Sequence, residues 1–149
     1  MEPDVSTPGA GTDPGAGSDG PRAATFDRWL AVQQLTVDPR PELIADVIGH
    51  PKSMPSVEEL AYMNPDLSED AIRRHLKTLA EVGVLVEREI PPGDRLRDFP
   101  WKFYALSEPA RALFDENGWF PEAAWTRQYA AVEKTDRIRD VEEMPRPGE

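Results

Sequence analysis

The chain has 149 residues, a formal net charge of −11 and no cysteine. This length favours a single domain, and the lack of cysteine excludes disulfides, thiolate nucleophiles and thiolate metal ligands. No stretch approaches the ~20 consecutive apolar residues of a membrane span, so the composition predicts a soluble protein of the cytoplasm with no membrane partner.

Both ends of the chain are predicted to be disordered tails. Residues 1–24 are mostly Gly, Pro, Ala, Ser, Thr and Asp, with one valine and no aromatic residue. Such a segment cannot bury enough apolar surface to offset the entropy lost on ordering. It also lacks the basic start and apolar run of a signal peptide. Residues 144–149 are predicted to fray at the other end.

Two helices are predicted after the first tail. Phe26, Trp29 and Leu30 recur at helical spacing and indicate a short lead-in helix. A second helix begins at Pro41, because proline suits the first helical turn, and it ends at Gly49. The apolar face of this second helix is assigned to the core.

A pair of short helices follows, joined by a tight turn. The first helix begins with a capping box, in which Ser56 is followed three residues later by Glu59. The Asn-Pro-Asp sequence at residues 64–66 forces the turn. The second helix is capped by Ser68 and ends at Gly83, which favours the left-handed conformation.

A β-hairpin is predicted directly after the helix pair. Residues 84–90 and 102–106 alternate between apolar and polar side chains, which is typical of strands. The segment between them is rich in Pro, Gly and Arg and indicates the hairpin tip. This element order is that of a winged helix-turn-helix, so we predict a mainly α fold with a small β-hairpin wing over residues 25–117.

The second helix of the pair and the hairpin tip carry the residues predicted to contact double-stranded DNA. Ile72, Leu76 and Leu79 share one face and fix the inward side of the helix. Arginine on the opposite face can bind guanine through two hydrogen bonds, and lysine can meet phosphate. The predicted DNA-binding residues are Ser68, Arg73, Arg74 and Lys77 on the helix and Arg95 and Arg97 at the tip. The alternative is an ordinary solvated surface, on which two aspartates at the tip balance its arginines.

The charge pattern bears on this hypothesis. Residues 68–106 hold seven basic and seven acidic side chains, so the rest of the chain carries the whole net charge of −11. A net negative charge opposes DNA binding at low salt. The chain has 13 arginines but only four lysines, and we associate an acidic, lysine-poor composition with proteins of halophilic archaea. At molar salt the Debye length is ~3 Å, which screens most of the repulsion.

Two further helices are predicted beyond the hairpin. One begins after Ser107, and a last helix begins near Pro121. Residues 118–143 are assigned to dimerisation, because so late a helix has little left to pack against and large aromatic side chains contribute strongly at interfaces. The predicted dimer-interface residues are Trp119, Phe120, Trp125, Tyr129 and Val132, with plain core packing as the alternative. Trp101 and Phe103 are assigned to the core.

No catalytic, metal or cofactor site is predicted. His50 lies at a helix end before a proline, and His75 lies beside the inward stripe, where a half-buried, hydrogen-bonded histidine is common. Neither histidine has the spacing of metal ligands or of a catalytic constellation. Glu58 and Glu59 are interpreted as helix-surface carboxylates. The sequence therefore gives no support to an enzymatic function.

The segment over residues 72–86, I-R-R-H-L-K-T-L-A-E-V-G-V-L-V, resembles the recognition helix of ArsR-like winged-helix regulators. In that family a helix of the form H-L-x-x-L-x-x-x-G-[LV]-[LV] runs straight into the wing. The runs at residues 103–107 and 110–114 resemble the family's second wing strand and following helix. The resemblance covers residues 41–117, and MarR-like and PadR-like relatives share the same pattern.

This resemblance implies a homodimer that binds an inverted-repeat operator, usually as a repressor, and the acidic composition places the chain among haloarchaeal regulators. Metal-sensing members of the family bind metal through cysteine thiolates, which this chain lacks. That route is therefore excluded, and the effector is unknown. The alternative function is a winged-helix module that binds another protein without reading DNA.

Overall fold

The computed structural model describes residues 26–148, so the predicted tail over residues 1–24 lies outside the described residues. The elements in chain order are α1 (Arg28–Leu35), α2 (Arg40–Gly49), α3 (Val57–Met63), α4 (Glu69–Glu81), β1 (Leu85–Glu89), a 3₁₀-turn (Pro92–Asp94), β2 (Lys102–Leu106), α5 (Glu108–Asn117), α6 (Glu122–Ala131) and α7 (Asp136–Glu143). None of the described helices is long and apolar enough to cross a membrane.

Local sequence signals set the ends of α3 and α4 as predicted. Ser56 and Glu59 form the reciprocal capping box at the start of α3. The Ser68 hydroxyl accepts a hydrogen bond from the Ala71 backbone N–H at 3.1 Å and caps α4. Gly83 follows α4 with a φ of +81°, a conformation that glycine adopts without steric cost.

The main core forms where α2, α3, α4 and the hairpin meet. The predicted inward face of α4 is confirmed, because Ile72, Leu76 and Leu79 are fully buried. They belong to one apolar cluster with Leu43 of α2 and Leu60 of α3. This packing fixes which side of α4 faces outward.

The lead-in helix is confirmed as α1, but Trp29 and Leu30, whose spacing indicated it, do not form its buried face. Trp29 is 70% exposed and Leu30 is 39% exposed, whereas Ala31 and Leu35 are buried. A helix of eight residues buries only one narrow stripe, and two apolar residues four positions apart supply it here. The apolar spacing marked the helix correctly but not the side that meets the core.

The two strands pair antiparallel, with Glu89 opposite Lys102 and Arg88 opposite Phe103. Cross-strand partners share a face of the sheet and neighbouring residues alternate. Lys102 and Tyr104 therefore lie on one face of the hairpin, and Phe103 and Arg88 lie on the other. Phe103 is fully buried, which confirms its assignment to the core.

The single last helix predicted within residues 118–143 is in fact two helices. The second of them, α7, begins after Thr135, whose hydroxyl accepts a hydrogen bond from the Ile138 N–H at 3.2 Å. The first of them, α6, packs against α2 so closely that a Cβ on Gly49 would lie 2.5 Å from the Trp125 carbonyl oxygen. The premise that a late helix has little to pack against is therefore wrong.

Residues 144–148 are not a frayed tail, contrary to the prediction. Met144 is buried in a second apolar cluster with Phe103, and Arg146 is only 3% exposed. The Arg146 guanidinium pairs with the Glu59 carboxylate at 2.8 Å. Glu59 itself is fully buried, so its assignment as a surface carboxylate is wrong. A buried carboxylate requires a partner of opposite charge, and Arg146 of the terminal segment supplies it for Glu59.

Candidate nucleic-acid interface

The outward face of α4 presents Arg73, Arg74 and Lys77, all of which are exposed. Arg73 is engaged on its own helix, where its guanidinium lies 3.1 Å from the carboxylates of both Glu69 and Asp70. Exposed helix pairs of this kind contribute only about 0.3–0.5 kcal/mol. A phosphate group can therefore replace these pairs at little cost.

Arg74 and Lys77 have no ion-pair partner among the residues that the structure describes. His75, between them in sequence, accepts a hydrogen bond at Nδ1 from Arg40 Nε at 3.0 Å. Burial and the positive charges of Arg40 and Arg74 hold the pKa of His75 below its ordinary value. The prediction of a half-buried, hydrogen-bonded histidine is thus confirmed.

The hairpin tip holds one arginine and leaves the other extended into solvent. The Arg95 guanidinium stacks over the Trp101 ring at 3.6 Å, donates from Nε to the Ile90 carbonyl at 2.8 Å, and lies 3.5 Å from the Glu89 carboxylate. Trp101 is 37% exposed beneath it, so its assignment to the core is wrong. Arg97 is exposed and has no ion-pair partner in the described part of the chain.

A cleft of about 400 Å³ separates α4 from the hairpin, and its walls include Arg73, Lys102 and Arg137. Arg137 reaches this cleft from α7, pairs with Glu58 at 2.8 Å and donates to the Asp98 carbonyl at 2.6 Å. Sequence reasoning missed both Lys102 and Arg137. Strand alternation could have marked Lys102 as a facing residue, but no local signal shows that α7 returns to the hairpin.

The chain is similar to a solved structure described as a protein with a GntR superfamily winged-helix-turn-helix domain from Halomicrobium mukohataei. The two chains share 29% sequence identity and a TM-score of 0.67, over 74% of this chain and 78% of that one. Neither a family model nor a curated protein sequence matches the chain. The helix pair, the hairpin and this similarity decide the fold.

The chain has a winged helix-turn-helix fold. In this fold α4 is the recognition helix, and the β1–β2 hairpin is the wing. The prediction of a mainly helical protein with a small hairpin wing is confirmed. The similarity does not extend to the ArsR-like family, since the description of the solved structure names the GntR superfamily.

Three of the five predicted dimer residues pack against other residues of the same chain. Tyr129 is 3% exposed, and its ring meets the His50 ring edge-on with centroids 5.5 Å apart. Phe120 packs against Phe114 with ring centroids 5.0 Å apart, and Trp125 packs against the main core. These contacts are those of the core-packing alternative.

The other two predicted dimer residues remain at the surface. Trp119 is 39% exposed and Val132 is 40% exposed. Trp119 lies at the end of α5, near the point where Arg28 of α1 pairs with Glu116. Only these two of the five keep substantial apolar surface for a second subunit.

Proposed function

We propose that this protein is a sequence-specific DNA-binding transcriptional regulator whose recognition helix reads the major groove. The observation that carries the proposal is the outward face of α4. Arg74 and Lys77 are exposed there, without an ion-pair partner among the described residues. Arginine and lysine so placed can contact base edges and phosphates. Arg73 joins them when its weak helix pairs open, and Ser68 lies at the helix end that approaches phosphate.

The wing has a positioning role in this proposal. Arg97 extends into solvent and is suited to a phosphate contact, which fixes register without reading sequence. Arg95 is held over Trp101, so less side-chain entropy is lost when it binds. Lys102 adds a cation on the face of the hairpin that borders the cleft.

The finer assignment is a homodimeric repressor of the cytoplasm, without enzymatic activity or cofactor, acting on an inverted-repeat operator. The resemblance of residues 72–86 to ArsR-like regulators supports it. Two recognition helices related by a two-fold axis would read half-sites ~34–36 Å apart. The acidic, lysine-poor composition supports a source among halophilic archaea.

Selection of bound duplexes from a random DNA pool at high salt tests the proposal. The wild-type chain is expected to enrich one defined sequence. Arg74→Ala should then lose about 1–3 kcal/mol on that sequence and less on random DNA. Arg111→Ala, which removes an arginine of α5 outside the recognition helix and wing, is the control. Enrichment of no sequence, or equal losses on both DNAs for Arg74→Ala, would refute base reading by α4.

A second candidate function is a module that binds another protein through the same face. The specific observation in its favour is that Glu69 and Asp70 neutralise Arg73 on a chain of net charge −11. A surface of this balance suits a partner with a mixed charge pattern better than a phosphate backbone. Failure to enrich any DNA sequence would favour this function.

A further inference from the structure

A pocket of about 350 Å³ lies between α2, the end of α3 and α6, and its lining includes neither the recognition helix nor the wing. This volume is within the range of sites that hold small molecules. We propose that the pocket binds a small organic cation with an apolar body, whose ammonium group pairs with Asp46. This site goes beyond the proposed DNA-binding function and does not depend on it.

The pocket walls combine apolar surface with negative charge. Met63, Phe120, Trp125 and Val132 supply apolar side chains from the end of α3 and from α6 and its flanks. The charged residues of the lining are Glu42 and Asp46, both carboxylates, and no lysine, arginine or histidine lines the pocket. A ligand of complementary charge is therefore a cation, and its apolar part would bury surface against α6.

Asp46 is the centre of this charge. Its Oδ2 accepts a hydrogen bond from Asn64 Nδ2 at 2.8 Å, and no cation pairs with this carboxylate among the described residues. Burial raises the pKa of Asp46 to about 6, with a further increase from the charge of Glu42, although the Asn64 hydrogen bond opposes this. A bound ammonium group would supply the missing positive charge.

One residue of the pocket walls offers a hydrogen-bond acceptor independently of the carboxylates. Tyr129 is only 3% exposed, and its hydroxyl has no hydrogen-bond partner among the described residues. Buried polar groups of folded proteins nearly always have a partner, and a hydroxyl oxygen can accept a hydrogen bond from an ammonium group. The Trp125 ring also offers an aromatic surface on which a cation is stabilised.

A ligand paired with Asp46 would be connected to the helix-turn-helix through the hydrogen bond between Asp46 and Asn64. Asn64, which binds Asp46, is the residue that ends α3, and its side chain also donates to the Leu60 carbonyl at 2.8 Å. The Asn64 side-chain amide therefore reports directly on the state of Asp46. Its NMR signals provide a readout that a remote binding event would not move.

A titration of the full chain with phenethylammonium at about pH 8 tests the site, with phenylacetate and 2-phenylethanol as anionic and neutral ligands of similar size. Phenethylammonium is expected to saturate the pocket at millimolar concentration and to shift the NMR signals of the Asn64 side-chain amide. It should bind at least about tenfold more tightly than phenylacetate or 2-phenylethanol. Asp46→Asn keeps an acceptor for Asn64 and is expected to weaken phenethylammonium binding by about tenfold or more.

Asp140→Asn, the same change at an exposed position of α7, is the matched control and should bind as the wild type does. Equal binding of the three ligands, unchanged binding by Asp46→Asn, or no saturation by ~10 mM phenethylammonium would each overturn the proposal. Since no DNA is present in this assay, its outcome is separate from that of the DNA selection.

Discussion

At the scale of single residues, the burial of Arg146 is the least expected feature, because this arginine belongs to a polar segment at the end of the chain. The Lys52 backbone N–H donates to His50 Nδ1 at 3.0 Å, so the ring proton lies on Nε2 and donates to Glu59 Oε2 at 2.5 Å. Burial alone would raise the pKa of Glu59, but the hydrogen bond from His50 and the charge of Arg146 lower it below the ordinary value. Arg146 thus completes a buried network that joins α2, α3 and the C-terminal segment.

Replacement of Arg146 tests how much this network contributes. Arg146→Met keeps an unbranched apolar side chain, but it removes the guanidinium that lies 4.5 Å over the Phe103 ring and leaves Glu59 buried without its cation. We expect the free energy of unfolding in urea to fall by about 3–5 kcal/mol. Arg139→Met breaks only an exposed pair with Asp136 and should change it by less than about 0.5 kcal/mol. Similar small losses for both variants would show that the buried pair contributes little.

The pH dependence of stability separates Asp46 from Glu59. The pKa of Asp46 is raised from 3.8 to about 6, so the folded state keeps a proton that the unfolded state releases. Asp46 therefore contributes more stability as the pH falls from about 6 to about 4. Glu59 has a lowered pKa, and its contribution is lost as the pH falls below 4.5.

Urea unfolding of the wild type and Asp46→Asn at pH 5 and pH 7.5 checks the Asp46 window. The variant cannot ionise, so its stability relative to the wild type should be higher at pH 7.5 than at pH 5. Glu42 on α2, Asn64 after α3 and Tyr129 on α6 are the polar groups around Asp46, and all are retained in the variant. A stability difference that does not change with pH would contradict the assignment.

At the residue scale, the sequence predicted the roles of those side chains whose partners are a few positions away in the chain. The caps at Ser56 and Ser68 were predicted because a capping residue and the backbone N–H that it binds are three positions apart. The roles of Trp101 and Arg146 were not, because their partners Arg95 and Glu59 are brought to them by folding. Residue type alone placed the tryptophan inside and the arginine outside, and both assignments were wrong.

At the scale of elements, the contact between α2 and α6 depends on one small residue. A Cβ at Gly49 would lie 2.5 Å from the Trp125 carbonyl oxygen and 3.1 Å from the Tyr129 Cβ. Backbone atoms cannot move aside as a flexible side chain can. The sequence marked Gly49 as a helix end, but the close approach of α6 is a property of the folded pair.

Gly49→Ala is expected to weaken this contact. Alanine gains about 1 kcal/mol of helix propensity over glycine, but overpacking costs about 1–3 kcal/mol, and the rigid carbonyl favours the upper part of that range. The net result is a lower free energy of unfolding in urea. Gly93→Ala in the wing tip, where nothing lies within 4 Å of the added methyl group, should be close to neutral. Equal stability of Gly49→Ala and the wild type would contradict the close packing.

Most elements could be predicted from the sequence, and the exception has a clear cause. Capping residues and turn sequences mark α2 to α5 and the hairpin because these signals are local. The break between α6 and α7 was missed, because Ile138 was assigned to the helix that carries Tyr129 and Val132, although its six-residue separation from Val132 does not fit one helix face. The Thr135 cap is the signal that could have located it.

At the scale of the whole molecule, the homodimer stays a prediction, and the structure changes how it must be tested. Trp125 and Tyr129 pack inside the protomer, so their replacement would damage the fold rather than an interface. Trp119 and Val132 are the exposed members of the predicted set. Large exposed aromatic side chains are typical of association surfaces.

Trp119→Ala combined with Val132→Ala is expected to lower the dimer fraction in sedimentation at molar salt. The circular dichroism spectrum should stay unchanged, because both residues lie at the surface. The negative charge of each subunit makes high salt the proper condition, since screening removes the repulsion between like charges. A wild-type chain that sediments as a monomer at micromolar concentration would refute the dimer.

The most direct test of DNA binding by α4 and the wing is the salt dependence of affinity, because it reports how many positive charges of this acidic chain lie on phosphates. The measurement is the affinity of the wild type and Arg97→Ala for the selected duplex over a range of salt concentrations. With Lys77 and Arg97 on phosphates, the logarithm of affinity should fall with the logarithm of salt at a slope of about −2 per protomer. The slope for Arg97→Ala should be shallower by about one. No salt dependence, or the same slope and affinity in both proteins, would contradict the account.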